Sequence, residues 1–366
     1  MERRRKVPKG SRVEQRRRHD PRRLRTRDNG GRTSVREVAE RAGVAISSVS
    51  RVLSGHKDVS DAMRQRVLEA VDHLGYEPDF LAQSLRRGST RTVGFVVGDI
   101  TNPVMAGCVL GAEAALRDAG YSILLMDSGG DAALDEAHIR ILRSRRVDGM
   151  ILSLASEKRR STLELLAQMD VPVVLLDREV PPGIWVNAVY SDHRAGMRAA
   201  VDHLLDLGHR RIALITASLE MRAGRERIAG MKDAVAARGL RDETIPMPGS
   251  LHAEHGESST EELFAGPEPH TAIIAGGNQI LIGTLRALHS RGLRVGRDVA
   301  LVACDDSPVT ELYRPPIATV SRDLVAMGRA AAQLLESRLR RPDEPATVTL
   351  PTTYHARESA SPPAPR

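Results

Sequence analysis

The chain has 366 residues, enough for two or three domains with sizeable cores, and its two cysteines, Cys108 and Cys304, lack the spacing of a disulfide scaffold, zinc ribbon or dithiol motif. The formal charge of +7 belongs to the N-terminus, because residues 1–32 hold 14 Lys/Arg against 4 Asp/Glu and the remainder carries 40 against 43. No stretch approaches the ~20 apolar residues of a membrane span, the Arg-rich start has no apolar signal core, and only one Trp, five Tyr and three Phe are available for stacking on bases, so the expectation is a cytoplasmic protein with no membrane partner and no ring-lined RNA platform.

Residues 1–32 combine like charge with Pro and Gly and almost no apolar residues, which predicts a disordered basic tail. Such a tail can add sequence-independent attraction to phosphate, or be a solvated extension, or reflect an upstream start codon. Ser34-Val35-Arg36-Glu37 then forms a capping box that opens a helix through Val38, Ala39 and Ala42 to Gly43. A second helix, Ala45 to Leu53, carries Val49, Val52 and Leu53 on one face. A third starts at Ser60, places Met63, Val67, Val71 and Leu74 on one face, and ends at Gly75. The result is a three-helix domain over residues 33–78.

From Thr92 onward, short apolar runs alternate with amphipathic helical segments: VGFVV at 93, SILLM at 122, DGMIL at 148, PVVLL at 172, RIALI at 211, TAIIA at 271 and VALVA at 299. They read as buried parallel strands, with weaker ones near 244 and 347. Gly120-Tyr121, Gly208-His209, Gly239-Leu240 and Gly292-Leu293 each close a helix before the next strand. So many strands exceed one doubly wound sheet, and two lobes with a ligand cleft between them are expected.

Ala42-Gly43-Val44 is the turn of a helix-turn-helix, and the helix after it presents Ile46, Ser47, Ser48, Ser50 and Arg51 outward. Short hydroxyls allow close approach to phosphates or base edges, and an arginine can grip guanine through two hydrogen bonds. An ordinary helical hairpin with a solvated arginine has the same spacing, and residues 33–90 carry 8 Lys/Arg and 8 Asp/Glu, so bulk charge does not decide between them. In the second region, Asp305 follows VALVA at the strand end where open α/β sheets bind ligands, and Asp177-Arg178 follows PVVLL, either lining the cleft or pairing with each other. Asn102 in Asn-Pro is a ligand candidate or a plain helix start. His252 and His255 have loop spacing for a metal but no third ligand nearby, so no metal and no cofactor are expected. Neither G-x-G-x-x-G after the first strand, nor a Walker motif, nor G-x-S-x-G occurs, which argues against an enzyme.

The segment SVREVAERAGVAISSVSRVLSG, followed by VS, LGYEPD and LAQSLRRG, resembles the headpiece of the LacI/GalR bacterial repressors. DITNP, SRRVDGMIL, DHLLDLGHRRIALI, RERIAGM, CDDSP, PPIATV and MGRAAAQLL continue the resemblance in family order from about Thr33 to Ser359. It implies a fold of two parts: an all-α three-helix helix-turn-helix headpiece, and an α/β core of two doubly wound parallel-sheet lobes of the type I periplasmic-binding-protein kind. It also implies a homodimer on double-stranded DNA carrying a pseudopalindromic operator, with Ile46, Ser47 and Arg51 at base-reading positions and Ser34, Ser48, Ser50 and Ser60 at phosphates. Residues 79–91 would be a hinge helix and linker, with Leu81 and Ala82 pairing the dimer mates and Leu85 inserted as a minor-groove wedge. Asn102, Asp177, Arg225 and Asp305 would hold a small-molecule effector.

Departures from the family pattern are Ala45 at the head of the recognition helix, Met63 for a common threonine, Val104-Met105 for aromatics that stack on sugars, and Gly277-Asn278 for a polar-plus-acidic pair. The expected core spans 92–359, one lobe from about 92–191 and 322–350 and the other from about 192–321, with 360–366 as a tail. The tail RESASPPAPR cannot form an added helical bundle, so a dimer is expected rather than a tetramer. The reading is an effector-responsive transcriptional repressor. A solute-binding or nucleotide-dependent α/β protein is the alternative.

Overall fold

The computed structural model describes residues 33–77, 88–241, 243–266, 270–341 and 344–364. The expected tail and the hinge residues Leu81, Ala82 and Leu85 lie outside them. The described residues fall into two compact units, one on each side of the 78–87 segment.

The first unit is three helices: α1 (Val35–Ala42), α2 (Ile46–Leu53) and α3 (Asp61–Leu74). Ser34 caps α1 through the expected box, its amide donating to Glu37 Oε2 at 2.7 Å and its Oγ accepting from the Glu37 amide at 3.4 Å. Gly43 takes the left-handed conformation, φ 63°, and so lets the Val44 amide reach back to the Ala39 carbonyl at 3.1 Å. Val38, Ala39, Val49, Val52 and Val67 meet in one core. Such a core fixes the angle at which α2 stands out from the turn.

The second unit contains two six-stranded sheets. In the first, the order is β11-β5-β4-β3-β1-β2, all parallel, from β1 (Thr92–Val97), β2 (Ser122–Asp127), β3 (Gly149–Leu152), β4 (Val173–Leu176), β5 (Asn187–Ser191) and β11 (Thr347–Leu350). In the second, β6 (Ile212–Ala217), β7 (Ile245–Gly249), β8 (Ala272–Ala275), β9 (Ala300–Cys304), β10 (Ala318–Arg322) and β12 (Thr352–His355) lie in the order β12-β10-β9-β8-β6-β7, with β12 antiparallel. Helices cover both faces of each sheet. In the first lobe, Phe95 packs with Leu116 and Met327 on one side, while Val96 packs with Ile139 and Leu142 on the other. β1, β3 and β4 are continuously apolar for this reason: neither face meets water.

Three strands carry no apolar run long enough to announce themselves. β5 (Asn-Ala-Val-Tyr-Ser) and β10 (Ala-Thr-Val-Ser-Arg) end in polar residues because their C-terminal ends feed the seam between the lobes. β12 is an edge strand, its residues alternately half-buried and exposed. It places residues 352–355 in the second sheet, a segment that the expected lobe boundaries left unassigned.

In the first lobe α4 (Pro103–Asp118) packs against the long C-terminal helix Leu324–Arg340, at almost backbone distance. A Cβ on Gly328 would lie 1.8 Å from the Cys108 carbonyl oxygen, and one on Gly111 would lie 2.0 Å from that of Val325. The chain passes between lobes at Asp192, around Arg322-Asp323 and at Pro351. Two of these crossings are tied together, since the Asp192 amide donates to the Leu350 carbonyl at 2.9 Å and Thr352 Oγ1 to the Asp192 carbonyl at 2.7 Å.

Candidate functional site

In the first unit, α2 buries Val49 and Val52 and turns Ile46, Ser47 and Arg51 to solvent. Ile46 is 44% exposed, unusual for a large apolar side chain on a helix this small, and it stands beside Ser47 at the start of the helix. Ser48 and Ser50 are half-buried at its margins. Ala45 gives α2 no side-chain cap, so the first turn keeps amides for another acceptor. Ser34 and Ser60 both serve as caps, Ser34 donating as well to Glu37 Oε2 at 3.0 Å and Ser60 accepting from the Met63 amide at 3.4 Å. A phosphate at Ser34 would share a hydroxyl that the capping box already uses.

In the second unit, the C-terminal strand ends of the two sheets meet at the seam. Asp177, just after β4, and Asp305, just after β9, both have left-handed backbones, φ 52° and 70°. Aspartate tolerates this region better than most residues, and the bend turns each carboxylate inward. Between them lies Arg322, at the end of β10. It donates through Nε to Asp305 Oδ1 at 2.7 Å, through Nη1 to Ser191 Oγ at 3.0 Å, and through Nη1 to Asp177 Oδ2. Asp177 also accepts from the Ser191 amide at 2.9 Å and pairs with His193 Nε2 at 2.8 Å.

Burial alone would raise Asp177, but the hydrogen bond with His193 and the charge of Arg322 hold its carboxyl well below the usual carboxylate range. Burial pushes the His193 imidazole down to about 4, against the pull of Asp177, so this histidine is neutral at pH 7. The two thiols nearby are equally inert: burial pushes Cys108 up to about 12 and raises Cys304.

A second set of contacts spans the seam nearer its rim. Arg225 donates through Nη2 to Glu157 Oε2 at 2.8 Å and to Glu179, and through Nη1 to the Leu219 carbonyl at 3.0 Å. Glu157 Oε1 accepts from the Arg222 amide at 2.7 Å. The Arg222 guanidinium lies 4.2 Å from the centre of the Tyr190 ring and donates to the Ser191 carbonyl at 3.0 Å. Asn102 caps α4 through the Val104 amide at 3.0 Å and receives Asn278 Nδ2 from the other lobe at 3.4 Å.

Of the four expected effector residues, then, Asp177 and Asp305 are claimed by Arg322, Arg225 by two glutamates, and Asn102 alone bridges lobes through a neutral amide. Arg178 pairs with neither carboxylate oxygen of Asp177; it donates to the Leu154 and Asp177 carbonyls. Several polar residues that sequence reasoning did not assign keep a buried atom without a partner, and two of them are Arg227 and Asn278. Arg227 is 4% exposed, donates through Nη1 to the Gly276 carbonyl at 2.7 Å, and leaves its buried Nε without a partner. Asn278 is 8% exposed and leaves Oδ1 without one. The signal for Arg227 was in RERIAGM, where two arginines two apart emerge at different depths. His255 engages both ring nitrogens, with the Met247 carbonyl at 3.1 Å and Ser259 Oγ at 3.2 Å, and the described residues contain no group of three or more ligands fit for a metal.

Residues 34–79 match the family model for bacterial regulatory proteins of the lacI family, and residues 201–360 match the periplasmic binding protein-like domain. Over 337 residues the chain is 34% identical to the HTH-type transcriptional regulator CelR of Thermobifida fusca, covering 90% of this chain and 98% of that one. The chain belongs to the LacI family. It is a DNA-binding transcriptional regulator and not an enzyme.

Among solved structures, the Lac repressor dimer bound to operator and an anti-inducer superimposes with a TM-score of 0.80 at 26% identity, covering 90% of this chain and 99% of that one. A CelR–cellobiose complex superimposes with a TM-score of 0.67 at 34% identity, covering 90% and 100%. No helix among the described residues is long and apolar enough to cross a membrane.

Proposed function

We propose that this LacI-family member is a cytoplasmic repressor that binds a pseudopalindromic operator as a homodimer, and that a small uncharged polar metabolite of sugar or nucleoside type, held between the core lobes, controls that binding. The observation that carries the effector reading is the pair of buried, partnerless atoms at the seam, Arg227 Nε and Asn278 Oδ1. One is a donor and the other an acceptor, and a buried polar group without a partner costs about 1–3 kcal/mol, which a ligand hydroxyl or amide recovers. Around them, the carboxylates of Glu157 and Glu179 are already engaged by Arg225, and those of Asp177 and Asp305 by Arg322. A neutral ligand leaves these pairs intact, whereas an ion competes for them.

Val104 is 3% exposed and Met105 packs into the first lobe, so recognition there rests on hydrogen bonds rather than ring stacking. The cellobiose held by the CelR relative supports a sugar. Asn102, Arg225 and Asp305 then act as the surrounding frame, with Asp177 oriented by His193. On the DNA side, Ile46, Ser47 and Arg51 read bases, and Ser34, Ser48, Ser50 and Ser60 meet phosphates.

A thermal-shift screen of the full chain against neutral sugars and nucleosides tests the effector reading, since a bound ligand raises the melting temperature by mass action. A hit whose shift disappears in Arg227→Ala and in Asn278→Ala supports it; a hit unaffected by both variants places the effector elsewhere. Selection of bound sequences from random duplexes tests the DNA reading. Arg51→Ala is expected to flatten base preference at one symmetric position and to cost about 1–3 kcal/mol. Equal loss on selected and random DNA makes Arg51 a phosphate contact instead.

A further inference from the structure

At the opposite end of the first lobe from the seam, the N-terminal ends of the strands surround a cavity of about 570 Å³. Its walls include Arg143 and Arg146 from the end of the helix Ala132–Ser144 and the turn after it, Arg338 from the C-terminal helix, Tyr121, and residues 88–89 of the chain entering the core. Some arginines elsewhere on this unit pair with carboxylates, as in Arg117–Glu113, Arg194–Asp233, Arg238–Asp206 and Arg357–Asp306. These three do not: among the described residues none forms an ion pair, and the buried Nη1 of Arg338, beside the cavity, has no hydrogen-bond partner.

Two aspartates also line the cavity, yet one is already committed. Asp148 accepts from the Thr90 amide at 2.9 Å and the Arg91 amide at 2.8 Å, and from the Ser89 hydroxyl at 2.5 Å, so both its oxygens serve to anchor the incoming chain. The exposed Asp170 remains against three guanidinium groups.

We propose that this cavity is a second ligand site, distinct from the seam, and that it takes a small phosphate-bearing metabolite. A phosphate dianion offers three acceptor oxygens, each suited to charge-assisted hydrogen bonds from planar guanidinium groups. The volume falls within the usual range for small-molecule pockets, roughly 300–1,000 Å³, and so leaves room for an organic moiety beyond the phosphate. A ligand here touches residues 88–89, next to the segment that Asp148 pins, and its binding energy bears directly on how firmly the chain is held where it enters the core.

The test is calorimetric titration of the full-length protein, at fixed ionic strength, with inorganic phosphate, glucose 6-phosphate and glucose. The variants are Arg338→Gln, the double Arg143→Gln/Arg146→Gln, and Arg227→Ala. Saturable heat is expected with both phosphate-bearing probes, weakened at least tenfold in the first two variants and retained in Arg227→Ala, which silences the seam. The double variant alters only exposed side chains, so it keeps the test alive if Arg338→Gln fails to fold. Absence of saturable heat with either phosphate-bearing probe overturns the proposal. Heat that vanishes in Arg227→Ala but survives in the cavity variants assigns the phosphate to the seam and overturns it too. If phosphate does not bind and the cavity variants instead lower the salt dependence of operator binding by about one unit of log–log slope per arginine, the arginines are contacts to the DNA backbone.

Discussion

Arg322 touches carboxylates from both lobes while its side chain is 9% exposed, so it cannot exchange a lost partner for water. Replacing it with methionine keeps the volume but leaves Asp177 and Asp305 buried without their cation, and breaking a buried pair in this way costs about 3–5 kcal/mol. Chemical denaturation of Arg322→Met is expected to show a loss of that size, partly recovered when Asp305→Asn is added. His193 gives the same cluster a pH dependence. Its folded value of about 4 lies below the ordinary histidine value of 6.5, so the unfolded chain binds the proton first as pH falls. Stability is therefore greatest above about pH 6.5 and declines toward pH 4, a loss on the order of 3 kcal/mol from this residue. In His193→Gln, thermal melts across that interval are expected to show a shallower slope.

Helix α4 and the helix Leu324–Arg340 meet where Gly111 and Gly328 remove the Cβ that would otherwise strike a carbonyl oxygen. Gly328→Ala forces backbone apart rather than a side-chain tip, and overpacking of this kind costs typically 1–3 kcal/mol in spite of alanine's better helix propensity. A drop in melting temperature tests it; unchanged stability means that the two helices slide freely.

Elements of this type were readable from the chain to differing degrees. The strands at 93, 148, 172, 211, 271 and 299 are bare apolar runs because both faces are covered, the one at 122 is a half-buried edge strand, and the glycines after the helices follow from left-handed caps. β5, β10 and β12 were hidden, since their polar ends belong to the seam or an edge. The seam itself was only partly legible. Asp177 and Asp305 follow strands, which for Asp177 left open a place in the cleft or a pairing with Arg178, and their engagement with Arg322 joins residues up to 145 apart in the chain. No local pattern reveals such a partner. Arg225 and Arg227 sit two residues apart on one helix, and only the packing shows that the first reaches the rim glutamates and the second stays buried.

At the scale of the whole molecule, the core is two similar halves joined by three crossings, and the resemblance of the chain to the Lac repressor extends over 90% of its length. The C-terminal segment after β12 is proline-rich and carries no helix among the described residues. Sedimentation at micromolar concentration is expected to give a dimer, and a stable tetramer there refutes the expectation.

β11 and β12 are four residues each, and they close one edge of each sheet. Because both come within residues 347–355, neither lobe is complete until that stretch has been translated. The nascent chain must hold two unfinished sheets, the open sides of β5 and β10 exposed, until the ribosome supplies β11 and β12. Exposed strand edges are templates for wrong pairing. A stop codon at residue 345 is thus expected to leave both halves unfinished at once, yielding insoluble or rapidly degraded product, whereas one at residue 362 spares every strand among the described residues. Comparing the soluble yield of the two truncations measures how far this regulator depends on that pair of short edge strands.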